Sequence, residues 1–429
     1  MSILIKNGRL IDPSQKLDKV GDVLIDKGKI SKIGGSINEK SAQVIDAKGR
    51  IVAPGLCDMH AHLREPGGED KETVETGLRA AVKGGFTTVC AMPNTDPPCD
   101  SQAHAKFLLE RASAVKLAKL IPVGTITKGR AGEQLTEMAE IKEAGCPAVS
   151  DDGSSVKDAD LMRRAMEYAS MLDILVISHC EDESLSGEGV MHEGYWSTVL
   201  GLAPVPAESE SVIVDRDIRL AELAGARLHI AHVSTAESVD MIRQAKKKGI
   251  KVTAEVTPHH LSLKDEDLKT YDTNMKVSPP LGSEGDVKAL KKGVKDGTID
   301  VIATDHAPHL VNEKEKEFDY APFGMIGLET ALSICAMNLI EERHLDWPGL
   351  INKMSTMPCA ILKRKGGTLK EGEAADIIVI DPDKEWVYAK ETIESRSSNS
   401  PFIGRKMKVQ VTEVIVDGRV VVKEGKIIQ

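Results

Sequence analysis

The sequence of 429 residues predicts an α/β protein, namely a TIM-type (β/α)8 barrel with a small β-domain formed by both chain ends. In the middle of the chain, short runs rich in β-branched residues alternate with helix-length segments, which is typical of parallel strands joined by crossover helices. Eight such runs can be counted, the number that closes a barrel of this type. Both ends of the chain carry short strands and tight turns instead, so they are predicted to form one β-domain beside the barrel.

The barrel is predicted over residues 55–362, and a small sandwich-like β-domain over residues 1–54 and 363–429. The predicted barrel strands lie in the runs 51–62, 87–94, 119–127, 147–152, 173–181, 227–234, 251–260 and 300–308. Helices are predicted, for example, over 72–83, 101–118, 157–171, 236–248 and 327–342. A doubly wound open sheet is the alternative that the same alternation allows. In the terminal regions, the dipeptides Asn7-Gly8 and Asp417-Gly418 predict hairpin turns between short apolar runs.

Composition limits the classes of partner. Lys and Arg number 56 against 66 Asp and Glu, a net charge of −10, which argues against nucleic acid or an anionic membrane as the main partner. No stretch approaches the roughly 20 apolar residues of a membrane span. The seven cysteines are scattered and form no Cys-x-x-Cys motif, which indicates reduced thiols and predicts a cytoplasmic protein.

Two histidines at the end of the first predicted barrel strand suggest a metal site. His60 and His62 are two residues apart, and residues at that spacing on a strand point to the same face. Neutral imidazole nitrogens suit zinc and similar divalent ions. A His-x-His pair alone is equally compatible with ordinary surface or core histidines, so the hypothesis depends on ligands at other strand ends.

Further ligand-type residues do follow other predicted strands. The ends of strands two, four, five, six and eight carry Asn94, Asp151-Asp152, His179, His232 and Asp305-His306-Ala307-Pro308-His309. In a barrel these ends meet at the catalytic face, so four histidines and two acids are predicted to gather there and bind metal. His229 has the opposite alternation to His232 and is predicted to point towards a helix.

The remaining histidines are not predicted to be metal ligands. His259 and His260 are assigned either to the surroundings of the ligands or to an ordinary core or surface position. His104, His192 and His344 are interpreted as ordinary.

The predicted ligands indicate hydrolytic chemistry. A divalent metal lowers the pKa of water and polarises a carbonyl, and a neighbouring carboxylate can carry a proton to a leaving nitrogen. Asp305 is the candidate for that carboxylate because it ends the strand that closes the barrel beside His60 and His62. Two long connections, 182–207 and 310–327, are interpreted as lids over the site, with simple surface insertions as the alternative.

Six motifs follow one another along the chain: Asp58-Met59-His60-Ala61-His62-Leu63-Arg64-Glu65-Pro66-Gly67, Met92-Pro93-Asn94-Thr95, Ser150-Asp151-Asp152-Gly153, His179-Cys180-Glu181-Asp182, Ala231-His232-Val233-Ser234-Thr235 and Ala303-Thr304-Asp305-His306-Ala307-Pro308-His309. With these motifs in this order, the sequence resembles the amidohydrolase superfamily and, within it, the class I dihydroorotases over nearly its whole length. This resemblance implies reversible cyclisation of N-carbamoyl-L-aspartate to L-dihydroorotate in pyrimidine synthesis.

The resemblance also implies roles for individual residues. It implies two Zn²⁺ per chain, the first held by His60, His62 and Asp305, the second by His179 and His232, with Asp152 bridging the two. Substrate-binding residues implied in the same way are His62, Arg64, Asn94, Ser278, His309, Phe323 and Gly324. An Arg is suited to this task because its planar guanidinium matches a carboxylate bidentately.

The chain departs from the family pattern after strand seven. The family usually has Asn-Pro-Pro-Leu-Arg there, whereas this chain has Ser278-Pro279-Pro280-Leu281-Gly282, so a weaker hold on the substrate is expected. Alternative functions are another cyclic-amide hydrolase, such as a hydantoinase or allantoinase, and a dihydroorotase-like structural partner of aspartate carbamoyltransferase. The expected assemblies are a homodimer or a complex with aspartate carbamoyltransferase.

Overall fold

A computed structural model describes residues 2–428. Its strands are β1 Ile3–Asp12, β2 Leu17–Asp26, β3 Lys29–Gly34, β4 Gln43–Asp46, β5 Ile51–Pro54, β6 Leu56–Ala61, β7 Phe86–Ala91, β8 Lys119–Pro122, β9 Ala148–Val149, β10 Leu175–Ser178, β11 Met191–His192, β12 Pro204–Val205, β13 Arg227–Ile230, β14 Val252–Val256, β15 Val301–Ile302, β16 Ile377–Val387, β17 Lys406–Val416, β18 Arg419–Lys423 and β19 Lys426–Ile427.

The α-helices are α1 Val74–Gly84, α2 Gln102–Val115, α3 Met138–Glu143, α4 Ala159–Leu172, α5 Glu183–Ser186, α6 Tyr195–Leu200, α7 Glu208–Ala224, α8 Ala236–Lys247, α9 Pro258–Ser262, α10 Glu284–Asp296, α11 Val311–Lys314, α12 Ala331–Cys335, α13 Trp347–Ile351 and α14 Met357–Ile361. Two π-helical segments, Ala336–Ile340 and Asn352–Thr356, continue α12 and α13. None of the helices within residues 2–428 has the length and apolar character needed to cross a membrane.

Eight parallel strands form the predicted barrel. One sheet has the order β6-β7-β8 and the other β15-β14-β13-β10-β9. Single parallel bridges join the two sheets on both sides, Gly124 to Val149 and Ala61 to His306. Closure leaves no free edge among these eight strands, so the (β/α)8 fold class is confirmed and the open-sheet alternative is excluded.

Alternating side chains divide between two cores. Residues such as Met59, Ile121 and Leu175 belong to a buried cluster inside the barrel. Their neighbours along the strands, such as Leu120 and Val176, belong to the larger cluster between the strands and the helices. Period-two alternation on each strand is therefore what separates the barrel interior from the helical layer.

The first predicted strand run, 51–62, is two strands in different sheets. The break is at Gly55, whose N–H donates to the carbonyl of Asp376 at 3.0 Å. A β-carbon at this position would lie 2.1 Å from Oγ1 of Thr87, so only glycine allows the chain to pass so close to the neighbouring strand. Here β5 ends in the terminal sheet and β6 begins the barrel.

Both chain ends contribute to one large sheet with the order β19-β18-β17-β16-β5-β1-β2-β3, and β4 pairs with β1. The Asp417-Gly418 hairpin is confirmed, because β17 ends at Val416 and β18 begins at Arg419. The prediction of a hairpin turn at Asn7-Gly8 is wrong. β1 continues through this dipeptide, which lies at a register shift against β2, and the backbone N–H of Asn7 donates to Asp22.

The two long connections differ in structure. Segment 182–207 contains α5, β11, α6 and β12, so it is a small folded insertion. Segment 310–327 contains one short helix, α11, and is otherwise irregular. Whether either segment closes over a ligand stays a prediction.

Candidate metal centre and substrate cavity

The ligand-type residues lie together at the carboxyl ends of the barrel strands. His60 and His62 come from the end of β6, and Asp305 follows β15. Three site residues, Arg64, His232 and Asp305, have positive φ angles of 60°, 32° and 47°. Such backbone conformations cost energy for residues other than glycine and occur where a fold must aim a side chain.

One group of three residues matches the first predicted metal set. Ligand atoms of His60, His62 and Asp305 lie within 4.8 Å of one another, and all three residues are buried. Oδ1 of Asp305 is 3.0 Å from Nε2 of His62 and 3.6 Å from Nε2 of His60. Three nitrogen and oxygen ligands with room for a fourth are typical of a catalytic zinc site.

A second group contains His60, Asp152 and His232, again within 4.8 Å. Oδ1 of Asp152 lies 3.2 Å from Nε2 of His60 and 3.6 Å from Nε2 of His232, and its Oδ2 lies 3.4 Å from Nε2 of His62. This carboxylate therefore stands between the two groups. His179 is close by, with Nδ1 3.6 Å from Asp152 and 2.9 Å from Nε2 of His232.

Unpartnered buried atoms test whether these residues fit a metal. Nε2 of His60 and Oδ1 of Asp152 are buried, face each other at 3.2 Å and have no hydrogen-bond partner. Leaving such atoms unsatisfied is costly, whereas a divalent cation would use lone pairs of this kind. The donor set of imidazoles and carboxylates also fits zinc or a similar ion. The residues present therefore fit a metal centre.

Glu255 lies beneath the centre and was not predicted from the sequence. Its carboxylate accepts from Nδ1 of His60 at 2.6 Å and from Nε2 of His229 at 3.1 Å. Burial opposes ionisation, but the neighbouring His60 and His229 lower the pKa of Glu255 to about 2. A signal was available, because an acidic residue within a buried strand such as β14 requires a polar partner.

The same contact corrects the prediction for His229. Its neighbours Leu228 and Ile230 pack in the helix-facing cluster, so His229 faces the barrel interior and not a helix. Its other nitrogen, Nδ1, lies 2.8 Å from Oγ1 of Thr253. His229 thus supports Glu255 and lies one contact away from the candidate ligand His60.

Asp151 and Arg130 hold the backbone that carries Asp152. The carboxylate of Asp151 accepts from the backbone N–H groups of Ile126 and Thr127 at 2.8 and 3.1 Å. Arg130 donates to the carbonyl of Asp152 at 2.6 Å. Asp151 is therefore occupied in fixing the loop, and Asp152 is the acid of this pair that faces the histidines.

A cavity of about 500 Å³ opens above the histidines. Every predicted site residue except His60 lines it, namely His62, Arg64, Asn94, Asp152, His179, His232, Ser278, Asp305, His309, Phe323 and Gly324. His60 is fully buried below the floor. The structure thus brings the predicted metal and substrate residues into one place.

Arg64 is the cationic group of this cavity. Its Nε donates to the carbonyl of Pro308 at 3.2 Å, and one terminal nitrogen lies 3.3 Å from Nε2 of His309. Within residues 2–428, no carboxylate forms an ion pair with this guanidinium at 4.0 Å or less. Burial and the charge of Arg64 lower the pKa of His309 to about 3, so this imidazole is neutral.

Other predicted substrate residues are engaged with the protein itself. Oδ1 of Asn94 lies 2.7 Å from Nδ1 of His62, an arrangement that directs the other ring nitrogen towards Asp305. Ser278 donates to Glu181 at 3.4 Å. The N–H of Gly324 donates to the carbonyl of Lys276 at 2.8 Å, so this donor is already used.

The remaining histidines lie outside the cluster. His259 and His260 are buried on α9, where His260 contacts Oγ1 of Thr257 and the carbonyl of Pro279. Burial lowers the pKa of His260 to about 4. His104 and His344 are half-buried beside Asp100 and Glu342, as expected for ordinary histidines.

The sequence of this chain is similar to those of known proteins over nearly its whole length. The family described as dihydro-orotase-like matches residues 49–238. The chain is 51% identical over 424 residues to a dihydroorotase of Geotalea daltonii, covering 99% of this chain and all of the relative. It is 52% identical over 425 residues to a dihydroorotase of Pelotomaculum thermopropionicum, covering 99% of each.

Solved structures share the same fold. The L-hydantoinase of Arthrobacter aurescens superposes with a TM-score of 0.90 at 24% identity, covering all of this chain and 97% of that one. A D-hydantoinase superposes with a TM-score of 0.88 at 25% identity, covering all of this chain and 96% of the other. Both are similar over the barrel and the terminal sheet, since the alignments span the whole chain.

Proposed function

The chain belongs to the dihydroorotase family, and from this premise we propose that it catalyses the reversible cyclisation of N-carbamoyl-L-aspartate to L-dihydroorotate with release of water, the third step of pyrimidine biosynthesis. The observation that carries the proposal is the position of Arg64. Its guanidinium faces the cavity beside the candidate metal ligands and has no carboxylate partner within residues 2–428. A carboxylated substrate supplies the missing partner.

The proposed metal content is two Zn²⁺. His60, His62 and Asp305 would hold the first ion, His179 and His232 the second, with Asp152 between them. A bound divalent ion supplies a polarised substrate carbonyl and a lowered pKa of water. The short contact between His179 and His232 supports the second set, because two imidazole nitrogens 2.9 Å apart already converge near Asp152.

The protein's own groups then bind and orient the substrate. Arg64 takes the substrate carboxylate, and neutral His309 beside it offers a hydrogen bond without adding charge. Asn94 holds the ring of His62, which in turn lies against Asp305. Orientation of this kind accounts for a large part of enzymatic rate enhancement.

Asp305 moves the proton. During cyclisation its carboxylate accepts the proton of the carbamoyl nitrogen as the C–N bond forms, and it passes this proton to the hydroxyl of the substrate's carboxyl group, which leaves as water. During hydrolysis it takes a proton from the attacking water and delivers it to the same nitrogen as the ring opens. The side chain is buried and lies on the cavity wall, so it reaches the substrate with little competition from water.

A hydantoinase or allantoinase is the second candidate, because the structural neighbours are hydantoinases. Hydantoinases typically bridge their metals with a carbamylated lysine at strand four. Here Asp151 and Asp152 occupy that place, and the next lysine, Lys157, is largely exposed and pairs with Glu183 at 2.6 Å. A purely structural partner of aspartate carbamoyltransferase is disfavoured, since all six ligand-type residues are retained.

One assay separates these functions. Purified protein is offered dihydroorotate, hydantoin and allantoin in parallel, with ring opening followed by ultraviolet absorbance and metal content measured on the same sample. Turnover of dihydroorotate with close to two zinc per chain is expected, and Asp305→Asn serves as the control for contaminating enzyme. Turnover of hydantoin or allantoin without dihydroorotate, or full activity without divalent metal, contradicts the proposal.

The oligomeric assembly and the cellular location of the protein are also proposals. A homodimer and a complex with aspartate carbamoyltransferase are compatible with a small-molecule enzyme of this kind. The absence of any Cys-x-x-Cys motif among seven scattered cysteines supports a cytoplasmic location.

A further inference from the structure

The carbonyl of Gly324, on the cavity wall, is held by two buried side chains from different parts of the chain. Nζ of Lys314 donates to it at 3.0 Å and to the carbonyl of Pro322 at 2.7 Å. Nδ2 of Asn399 donates to the same Gly324 carbonyl at 3.1 Å and to the carbonyl of Ala307 at 3.0 Å. Two donors thus converge on a single backbone oxygen.

Asn399 also joins the segment of Gly324 to the neighbouring segment that carries His309. Its Oδ1 accepts from the backbone N–H of His309 at 3.0 Å, and its own carbonyl accepts from the N–H of Ile326 at 3.0 Å. The residue is buried and lies between β16 and β17, outside the barrel in sequence. One side chain therefore fastens both the loop of His309 and the loop of Phe323.

Lys276 holds the same loop from its other side. Its carbonyl accepts from the N–H of Gly324 at 2.8 Å, and its Nζ donates to the carbonyls of Phe318 and Asp319 at 2.8 and 3.0 Å. That nitrogen also lies 4.5 Å from the ring centroid of Phe323, within the range of a cation–π contact. Both the N–H and the carbonyl oxygen of Gly324 are therefore hydrogen-bonded.

Gly324 is closely packed against residues of the cavity wall. Its φ angle is +124°, and a β-carbon there would lie 2.7 Å from Cβ of Ala307 and 3.3 Å from Nε2 of His309. Gly324 therefore lies close against Ala307 and the His309 imidazole, and a residue with a β-carbon would not fit there without displacing them. Lys314 is buried and forms no ion pair within residues 2–428, so its ammonium group is held by these backbone carbonyls.

We propose that Lys314 and Asn399 are positioning residues for the substrate, because they hold the Gly324 carbonyl and so set the spacing between His309 and Phe323. This inference rests on the proposed function, since it takes His309 and Phe323 as the walls that contact dihydroorotate. Neither residue touches the candidate metal ligands, so their effect is expected in substrate binding and not in metal content.

The test compares Lys314→Met and Asn399→Ala with the wild-type enzyme. For both variants KM for dihydroorotate is expected to rise about tenfold, the upper end of the effect of one lost hydrogen bond, while kcat changes less than about threefold. Because Asn399→Ala alters no charge, a shared rise in KM cannot be attributed to the loss of a positive charge. Bound zinc is measured on each sample and is expected to be unchanged.

Lys353→Met is the matched control. Lys353 is another buried lysine that donates to a backbone carbonyl, that of Ile299, which precedes β15 at the end of the barrel opposite the cavity. This variant is expected to lose thermal stability without a change in KM. It therefore separates the general cost of removing a buried lysine from an effect on the substrate.

Specific outcomes overturn the inference. An unchanged KM in either variant, a fall in kcat alone, or a loss of zinc contradicts positioning. Should Lys314→Met fail to fold, Lys314→Gln, which keeps one donor, is judged by the same criterion. If the wild-type enzyme itself does not turn over dihydroorotate, the proposed function fails instead, and the two failures are thereby distinguished.

Discussion

The carboxylate of Glu255 lies 2.6 Å from Nδ1 of His60, although the two residues are 195 positions apart in the chain. With Nδ1 engaged in this way, Nε2 of His60 is directed towards Asp152 and Asp305. A carboxylate behind a ligating histidine fixes the tautomer and orientation of the ring and increases its basicity. Glu255 is therefore expected to tune the metal centre from beneath.

Glu255→Gln is expected to weaken metal binding by about 10- to 100-fold, the usual effect of removing such a partner. The amide keeps the shape of the side chain but has no charge to stabilise the ligating imidazole. Zinc affinity is measured by competition with a chelator. Glu329→Gln, which changes a buried carboxyl away from the metal residues, is expected to bind zinc as tightly as the wild type. Equal affinity in the two variants would show that Glu255 is only structural.

Asp305→Asn is expected to fold and to lose at least about 10²–10⁴ of kcat, since general acid–base groups typically contribute that much. Loss of a metal ligand would add to the effect, so zinc is counted in the same preparation. Asp12→Asn serves as a control, because Asp12 is a fully buried acid of the terminal sheet that binds Ser14 and the N–H of Leu369. Near-normal turnover in Asp305→Asn would show that its role is misassigned.

Ser278→Asn is expected to lower KM several-fold with little change in kcat. Ser278 is half-buried on the cavity wall and makes one long hydrogen bond, 3.4 Å, to Glu181. An Asn offers one acceptor and two donors, and a gained hydrogen bond is worth about 0.5–1.5 kcal/mol. Ser278→Ala, the comparison, is expected to leave kcat unchanged. Loss of activity in Ser278→Asn would indicate a differently shaped pocket and another carboxylated cyclic amide as substrate.

Glu329 predicts a pH dependence of stability. Its carboxylate accepts from the N–H groups of Glu394 and Ser395 at 3.0 and 3.2 Å, and burial raises its pKa from 4.5 to about 8. The folded state therefore holds the proton more tightly than the unfolded state. The contribution to stability is full below the unfolded pKa and is lost as pH rises through the folded pKa.

Glu329→Gln removes this titration. The variant is expected to gain stability on the order of 4 kcal/mol relative to wild type as pH rises from about 5 to about 8. Thermal unfolding measured across that interval gives the difference directly. A difference in Tm that stays constant with pH would mean that Glu329 is ionised in the folded protein.

The metal ligands could be found in the sequence because the fold converts order along the chain into proximity. His60, His62, His179 and Asp305 each lie at or just after the end of a recognisable strand, and parallel barrel strands present their carboxyl ends on one face. The strand runs themselves were recognisable because β-branched residues alternate with helix-length segments. The same local rule failed at Asn7, since its dipeptide forms a bulge within β1 when β2 pairs along it.

The sequence by itself thus determined the barrel, the shared terminal sheet and the residues at the strand ends, because each depends on local patterns of period and turn. Only the tertiary structure decided what those residues rest on. Glu255 beneath His60, and Asn399 behind His309, are single polar residues whose partners are far away in the chain. A local pattern can show that an acid within a buried strand such as β14 needs a polar partner, but it cannot show which residue that partner is. The hydrogen bonds form only when closure of the barrel and docking of the terminal sheet exclude water.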